Sequence, residues 1–129
     1  MRKIFELIPK DKFDTSGIYA LYKIAPDEVE PILASLLEWI QDLNWPVAQE
    51  LIKVLPRFHL QLMPHIKTVF HSNDDIWKNW VLLMLRNFPP DTVRLLTQDI
   101  QRMGNSPTAS EALEETDKFA QEIIKQFQL

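Results

Sequence analysis

The sequence predicts an all-α protein. Three observations carry that expectation. Apolar residues recur at helical spacing, as in Ile32, Leu33, Leu36, Leu37, Trp39, Ile40 and Leu43, and again in Leu62, Met63, Ile66, Val69 and Phe70. Nine prolines are spread along the 129 residues, several at the starts of these stretches, where a helix loses no hydrogen bond to a missing amide. Only two glycines occur, Gly17 and Gly104, and so many prolines would disrupt central strands.

About seven helices follow in order. The first is expected from Thr15 to Ile24, capped by Asp14 or Thr15, with Ile18, Leu21 and Tyr22 as its apolar face. Ala25-Pro26 ends it, because the residue before a proline avoids the helical region. The second runs from Val29 to Leu43 with Pro31 in its first turn, and Ala34, Ser35, Glu38, Gln41 and Asp42 lie opposite its wide apolar face. The stretch Gln41–Ala48, QDLNWPVA, then makes a very short turn. Asn44 is expected as the next N-cap, with Trp45 and Pro46 as the first two helical residues. Val47, Ala48, Leu51, Ile52 and Leu55 form the buried stripe of this third helix, and the short turn pairs it with the second as an antiparallel hairpin.

The fourth helix spans Leu60 to His71, with Pro64 near its start. Asn73 or Asp74 caps the fifth, which reaches Asn87. Ile76, Trp77, Trp80, Val81 and Met84 share one face, and Leu82, Leu83 and Leu85 widen it until the helix reads as central. The sixth opens at Pro89-Pro90-Asp91 and ends at Gly104, expected as a left-handed cap. The seventh runs from Ser110 to Phe127, with Leu113, Thr116, Ala120, Ile123, Ile124 and Phe127 as its stripe and Glu114–Lys118 as a surface pair.

A pattern recurs within this series. Asp42-Leu-Asn-Trp45 is followed 32 residues later by Asp74-Asp-Ile-Trp77, in a shared frame D-x-x-W-x-x-(A/W)-x-x-L. Pro31 and Pro64 open the preceding helices. Two-helix units of this length are typical of helical solenoids, which bury their faces by stacking neighbours. Three segments also carry a resemblance: IPKDKFD at Ile8–Asp14, QDLNWPVA, and DDIWKNW at Asp74–Trp80. Together they resemble a bacterial family known as a domain of unknown function, number fifty seventy-one, over most of the chain up to Phe88. The resemblance implies a HEAT-like stack of helical hairpins, and the expected architecture is a right-handed stack of antiparallel helix pairs, an α-α superhelix. It implies no reaction, cofactor or catalytic residue. With the length, it leads us to expect one domain over residues 1–129.

Composition narrows the function. A net charge of −4 disfavours a general nucleic-acid binder. The absence of cysteine excludes disulfides and thiolate chemistry. Two distant glycines cannot make a phosphate-cradling loop. The start, MRKIFELIPKDK, lacks the apolar core of a signal peptide, and the longest apolar run, Val81–Leu85, is far too short to span a membrane. A cytoplasmic protein is expected. His59, His65 and His71 step by six, which turns successive rings to different faces of a helix, so no metal or other cofactor is expected.

Two groups could still carry chemistry or recognition. Asp42, Asp74 and Asp75 read first as helix-capping carboxylates, and second as an acid/base group. Trp39, Trp45, Trp77 and Trp80 read first as core, although Trp45 and Trp77, at helix starts, are placed to meet a partner. Asp42, Asn44, Trp45, Asp74, Asp75 and Trp77 are therefore the candidate partner-binding residues. Charge is also segregated. Asp27 to Glu50 holds six acids and no Lys or Arg, whereas Leu51 to Asn73 holds Lys53, Arg57 and Lys67 and no acid. Such a dipolar surface orients a charged partner. The expected function is a non-enzymatic protein-binding module with an unidentified protein partner, of an immunity- or antitoxin-like kind. The alternative is a nucleic-acid-acting enzyme resembling a DNA glycosylase, using Asp74, Asp75, Lys53, Arg57 and Lys67.

Overall fold

Two prolines begin helices as predicted: Pro46 and Pro90 stand in a first turn, where the missing amide has no helical partner to lose. Pro26, read from the sequence as a helix end, also begins one, whereas Pro31 and Pro64, expected at helix starts, lie inside helices. The structure, a computed structural model, describes residues 3–129. These residues form eight α-helices and four 3₁₀ segments, with no strand among them. They group into two compact units, one up to His65 and one from Ile66 to Leu129, and the division falls within a helix.

The first unit opens with 3₁₀ segments Ile4–Leu7 and Ile18–Tyr22, followed by α1 (Pro26–Glu38), α2 (Pro46–Val54), a 3₁₀ turn Leu55–Phe58 and the start of α3 (His59–Phe70). Ile4–Leu7 packs against α1, and Ile18–Tyr22 against α2. Ile18, Leu21, Ile32, Leu33, Leu36, Ile40, Leu51 and Phe58 are fully buried. The two 3₁₀ segments are held together by a close approach at Gly17. A Cβ there would lie 2.8 Å from Leu7 Cα and 2.9 Å from Leu7 O, so only glycine leaves room. The Arg57 guanidinium donates to the carbonyls of Leu21 and Ile24, the latter at 3.2 Å, and so closes the end of the second segment.

Several expectations need correction here. The helix expected over Thr15–Ile24 is only the five-residue 3₁₀ segment, and Tyr22 is exposed at 43%. Asp14 caps nothing helical. Its carboxylate instead organises a turn, accepting from Lys10 N at 3.0 Å and from Ser16 Oγ at 2.6 Å. α1 starts at Pro26 rather than Val29 and stops at Glu38 rather than Leu43. Its end tightens into 3₁₀ bonds, from Trp39 N to Leu36 O and from Ile40 N to Leu37 O, both 3.1 Å. Asn44 is not an N-cap. Trp45 is, with φ −70° and ψ 135°, because it precedes Pro46 and is excluded from the helical region.

The second unit holds the rest of α3, then α4 (Asp75–Met84) with a 3₁₀ extension Leu85–Asn87, α5 (Pro90–Arg94), α6 (Thr97–Asn105), α7 (Ala109–Leu113) and α8 (Thr116–Phe127). α8 packs along α6 and α4. Gly104 is not a left-handed cap: no glycine among the described residues has positive φ. It lies inside α6, where a Cβ would meet Ile124 Cδ1 at 2.8 Å and Ala120 Cβ at 3.5 Å. Its work is to let α6 and α8 approach.

The seventh predicted helix is broken in two by Glu115, whose φ of 60° is left-handed. The break turns Glu114 out of register, so Lys118 pairs with Glu115 at 3.1 Å instead. It also leaves Leu113 83% exposed, while Thr116, Ala120, Ile123 and Phe127 are buried as expected. The repeated D-x-x-W letters do not hold equivalent places. Trp45 is the N-cap of α2, whereas Asp74 is the N-cap of α4 and Trp77 lies three residues further on.

The expected apolar face of α4 holds in its second half, where Val81, Leu82, Met84 and the following Leu85 are buried, and fails in its first. Ile76 is exposed and Trp77 and Trp80 are half-buried, while Asp75, Lys78 and Asn79 are buried. A helix that turns its charges inward requires partners for them, and the second unit supplies them.

Candidate functional site

Asp75 and Lys78 stand three residues apart on α4, which places both on one face. Lys78 Nζ lies 3.0 Å from Asp75 Oδ1 and 3.0 Å from Glu111 Oε2. Glu111, on α7, is fully buried. Arg102, on α6, grips it with both nitrogens, NH1 to Oε1 at 2.9 Å and NH2 to Oε2 at 2.7 Å. This fork geometry is the strongest form of the pair. Glu111 Oε1 also accepts from Thr108 N at 2.8 Å, and Thr108 Oγ1 accepts from Glu111 N at 3.1 Å. The same carboxylate thus closes a capping box at the start of α7. Two anions face two cations, and α4, α6 and α7 are joined at one point. Around it, Asn79 Nδ2 donates to Glu114 O at 2.9 Å.

The electrostatics suit structure rather than proton transfer. The bonds from Arg102, then from Thr108 and Lys78, hold the Glu111 carboxyl down at about 2 against the opposing effect of burial. Arg102 is correspondingly pushed up by Glu111. A carboxylate this acidic is a poor general base near neutrality. Its folded value is depressed below the ordinary 4.5, so its stabilisation is fully present above pH 4.5 and is lost as pH falls towards 2. A displacement of this size corresponds to about 3 kcal/mol. Urea midpoints measured from pH 6 to pH 2 should fall through that window, and fall less for Glu111→Gln. Equal acid sensitivity of the two proteins would show that Glu111 does not carry the effect.

The first unit holds a different kind of feature. α1 ends and α2 begins around a turn that brings Trp39 against Trp45, ring centroids 5.6 Å apart and planes at 67°. Both are half-buried. The Asp42 carboxylate accepts from Asn44 N at 2.9 Å and the Asp42 carbonyl from Trp45 N at 3.1 Å, which sets the turn. Val47 N donates to Lys12 O at 3.1 Å and ties the N-terminal segment alongside. Ile8, Pro9, Ser35, Glu38 and Gln41 join the two tryptophans around a pocket of about 330 Å³.

A family model described as Domain of unknown function (DUF5071) matches residues 7–124. The chain belongs to this family. Both the tryptophan pair and the buried charge cluster lie inside the DUF5071 match, which continues well past Phe88, where the resemblance read from the sequence stopped. Among curated proteins, none matches the chain.

The candidate residues of this DUF5071 protein divide between the units. Asp42, Asn44 and Trp45 share the turn in the first. Asp74, Asp75 and Trp77 share the start of α4 in the second. Asp74 is a plain cap, accepting from Trp77 N at 3.0 Å. Asp75 is consumed by Lys78. Of the cations considered for an enzyme, Arg57 is engaged by backbone carbonyls and Lys53 lies 3.4 Å from Glu50. His71 pairs with Asp99 at 2.8 Å and His65 with Glu30 at 3.4 Å. No group of three or more metal-ligating side chains occurs among the described residues. No helix among them is long and apolar enough to cross a membrane.

Sequence reasoning missed four aromatics of the first unit as surface groups. Phe5, Phe13 and Tyr19 are each at least 60% exposed, and Tyr22 joins them. The available signal was their position: Phe5 and Phe13 fall outside every helical stripe, where no core-facing periodicity claims them.

Proposed function

We propose that this DUF5071 protein is a non-enzymatic protein-binding module of the cytoplasm, and that its first unit docks a basic partner on the Trp39–Trp45 edge. One observation carries the reading. Two tryptophans in mutual contact are left half-exposed within a stretch, Asp27 to Glu50, that has six acids and no basic residue. Tryptophan is over-represented among the residues that dominate binding energy, and acidic surroundings select and steer a basic partner. The exposed Phe5, Phe13, Tyr19 and Tyr22 add apolar surface in the same unit. An immunity- or antitoxin-like role, in which an acidic protein covers a basic one, fits this surface. The nucleic-acid enzyme has less support, since Asp75 and Arg57 are already engaged within the fold.

The test is affinity capture from native lysate with three proteins: wild type, Trp39→Ala and Trp45→Ala. A stoichiometric basic partner should be retained by wild type and weakened at least tenfold by Trp45→Ala, with helicity unchanged by circular dichroism. Truncation of an anchoring tryptophan typically costs about 2 kcal/mol or more, which exceeds that factor. Failure to capture a partner, or capture indifferent to both substitutions, would refute the reading.

A further inference from the structure

The pocket beside the tryptophan pair has a definite electrostatic character. Of its seven lining residues, Ile8, Pro9, Ser35, Glu38, Trp39, Gln41 and Trp45, only Glu38 is charged. Glu38 forms no ion pair within the described residues, and the side chains of Ser35 and Gln41 have no hydrogen-bond partner there. Glu38 is also the last residue of α1, and the final turn of that helix has no basic residue. A helix C-terminus carries partial negative charge and favours a cation. An acid at that position opposes the helix's own stability. Trp39 and Trp45, which meet edge to face, also line the pocket, and an indole face attracts a cation and can stack a planar guanidinium.

We infer that this pocket seats an arginine side chain presented by the partner protein. The guanidinium pairs with the Glu38 carboxylate and lies against the tryptophan pair, while the Gln41 and Ser35 oxygens can accept its remaining N–H groups. Ile8 and Pro9 contact the apolar stem. This deepens the partner-binding reading and rests on it.

The probe is Nα-acetyl-arginine amide, titrated into ¹⁵N-labelled protein while the four indole N–H resonances are followed. Saturating shifts are expected at Trp39 and Trp45 and none at Trp77 or Trp80. The neutral isostere Nα-acetyl-citrulline amide should bind at least tenfold more weakly. Glu38→Gln should weaken the arginine probe at least fivefold, while its thermal midpoint stays equal to wild type or rises, which separates lost recognition from lost folding. Non-saturating shifts, an equal response to the citrulline probe, or shifts at all four tryptophans would overturn the inference. If the probe fails but Trp45→Ala still abolishes partner capture, the arginine seat falls and the binding module stands. If neither Trp39→Ala nor Trp45→Ala changes capture, the module itself falls.

Discussion

Glu111→Ala should destabilise the second unit by about 3–5 kcal/mol, the range for removing one partner of a buried ion pair. The loss is severe because one carboxylate serves three elements. Lys78 would keep only Asp75 as a buried counter-charge, Arg102 would lose both of its short bonds, and Thr108 N would lose its capping acceptor. That is a large part of the ~5–15 kcal/mol margin of a typical domain. Chemical denaturation is the measurement, with Arg102→Met/Glu111→Leu as the companion, which leaves the Asp75–Lys78 pair in place. The double replacement removes one anion and one cation together, so it should recover a substantial part of the loss, because apolar side chains can substitute for a buried pair at little net cost. A Glu111→Ala loss below about 1 kcal/mol would mean that the cluster is solvated rather than buried.

The two glycines should respond unequally to the same added methyl group. Gly17→Ala should cost about 1–3 kcal/mol, because the new Cβ meets Leu7 backbone at 2.8 and 2.9 Å and one of the two 3₁₀ segments must move. Gly104→Ala meets only the movable end of Ile124 at that distance, and alanine gains about 1 kcal/mol over glycine inside a helix. Its net effect should stay within about 1 kcal/mol of wild type. Urea midpoints decide the matter. A larger loss at Gly104 than at Gly17 would show that the α6–α8 approach, not the N-terminal one, is the tighter constraint.

Both the cluster and the tryptophan edge were partly legible beforehand. Thr108-Ala-Ser-Glu111 has the spacing of a capping box, and taking the seventh helix from Ser110 passed over it. That spacing marks the start of α7 and names Glu111 as a capping acid. Nothing local names Lys78 and Arg102 as its partners, because they lie 33 and 9 residues away on other helices. The tryptophan edge was easier. Trp39 and Trp45 are six residues apart around one short turn, so proximity along the chain already implied proximity in space. Placing Trp45 inside the helix neglected a rule applied correctly at Ala25-Pro26, that the residue before proline stays extended.

By itself, then, the sequence determined what short-range physics controls: an all-helical chain, helix starts at Pro46, Asp75 and Pro90, and the acid-only stretch that surrounds Trp39 and Trp45. These follow from backbone dihedrals, caps and side-chain period, each confined to a few neighbouring residues. Only the tertiary structure decided which face of α4 turns inward, that Gly104 lies inside α6 against α8, and that Glu115 breaks a helix its apolar spacing would have continued. Periodicity shows that a helix has distinct faces, but whether a charged face can be buried depends on the counter-charges that distant segments bring to it.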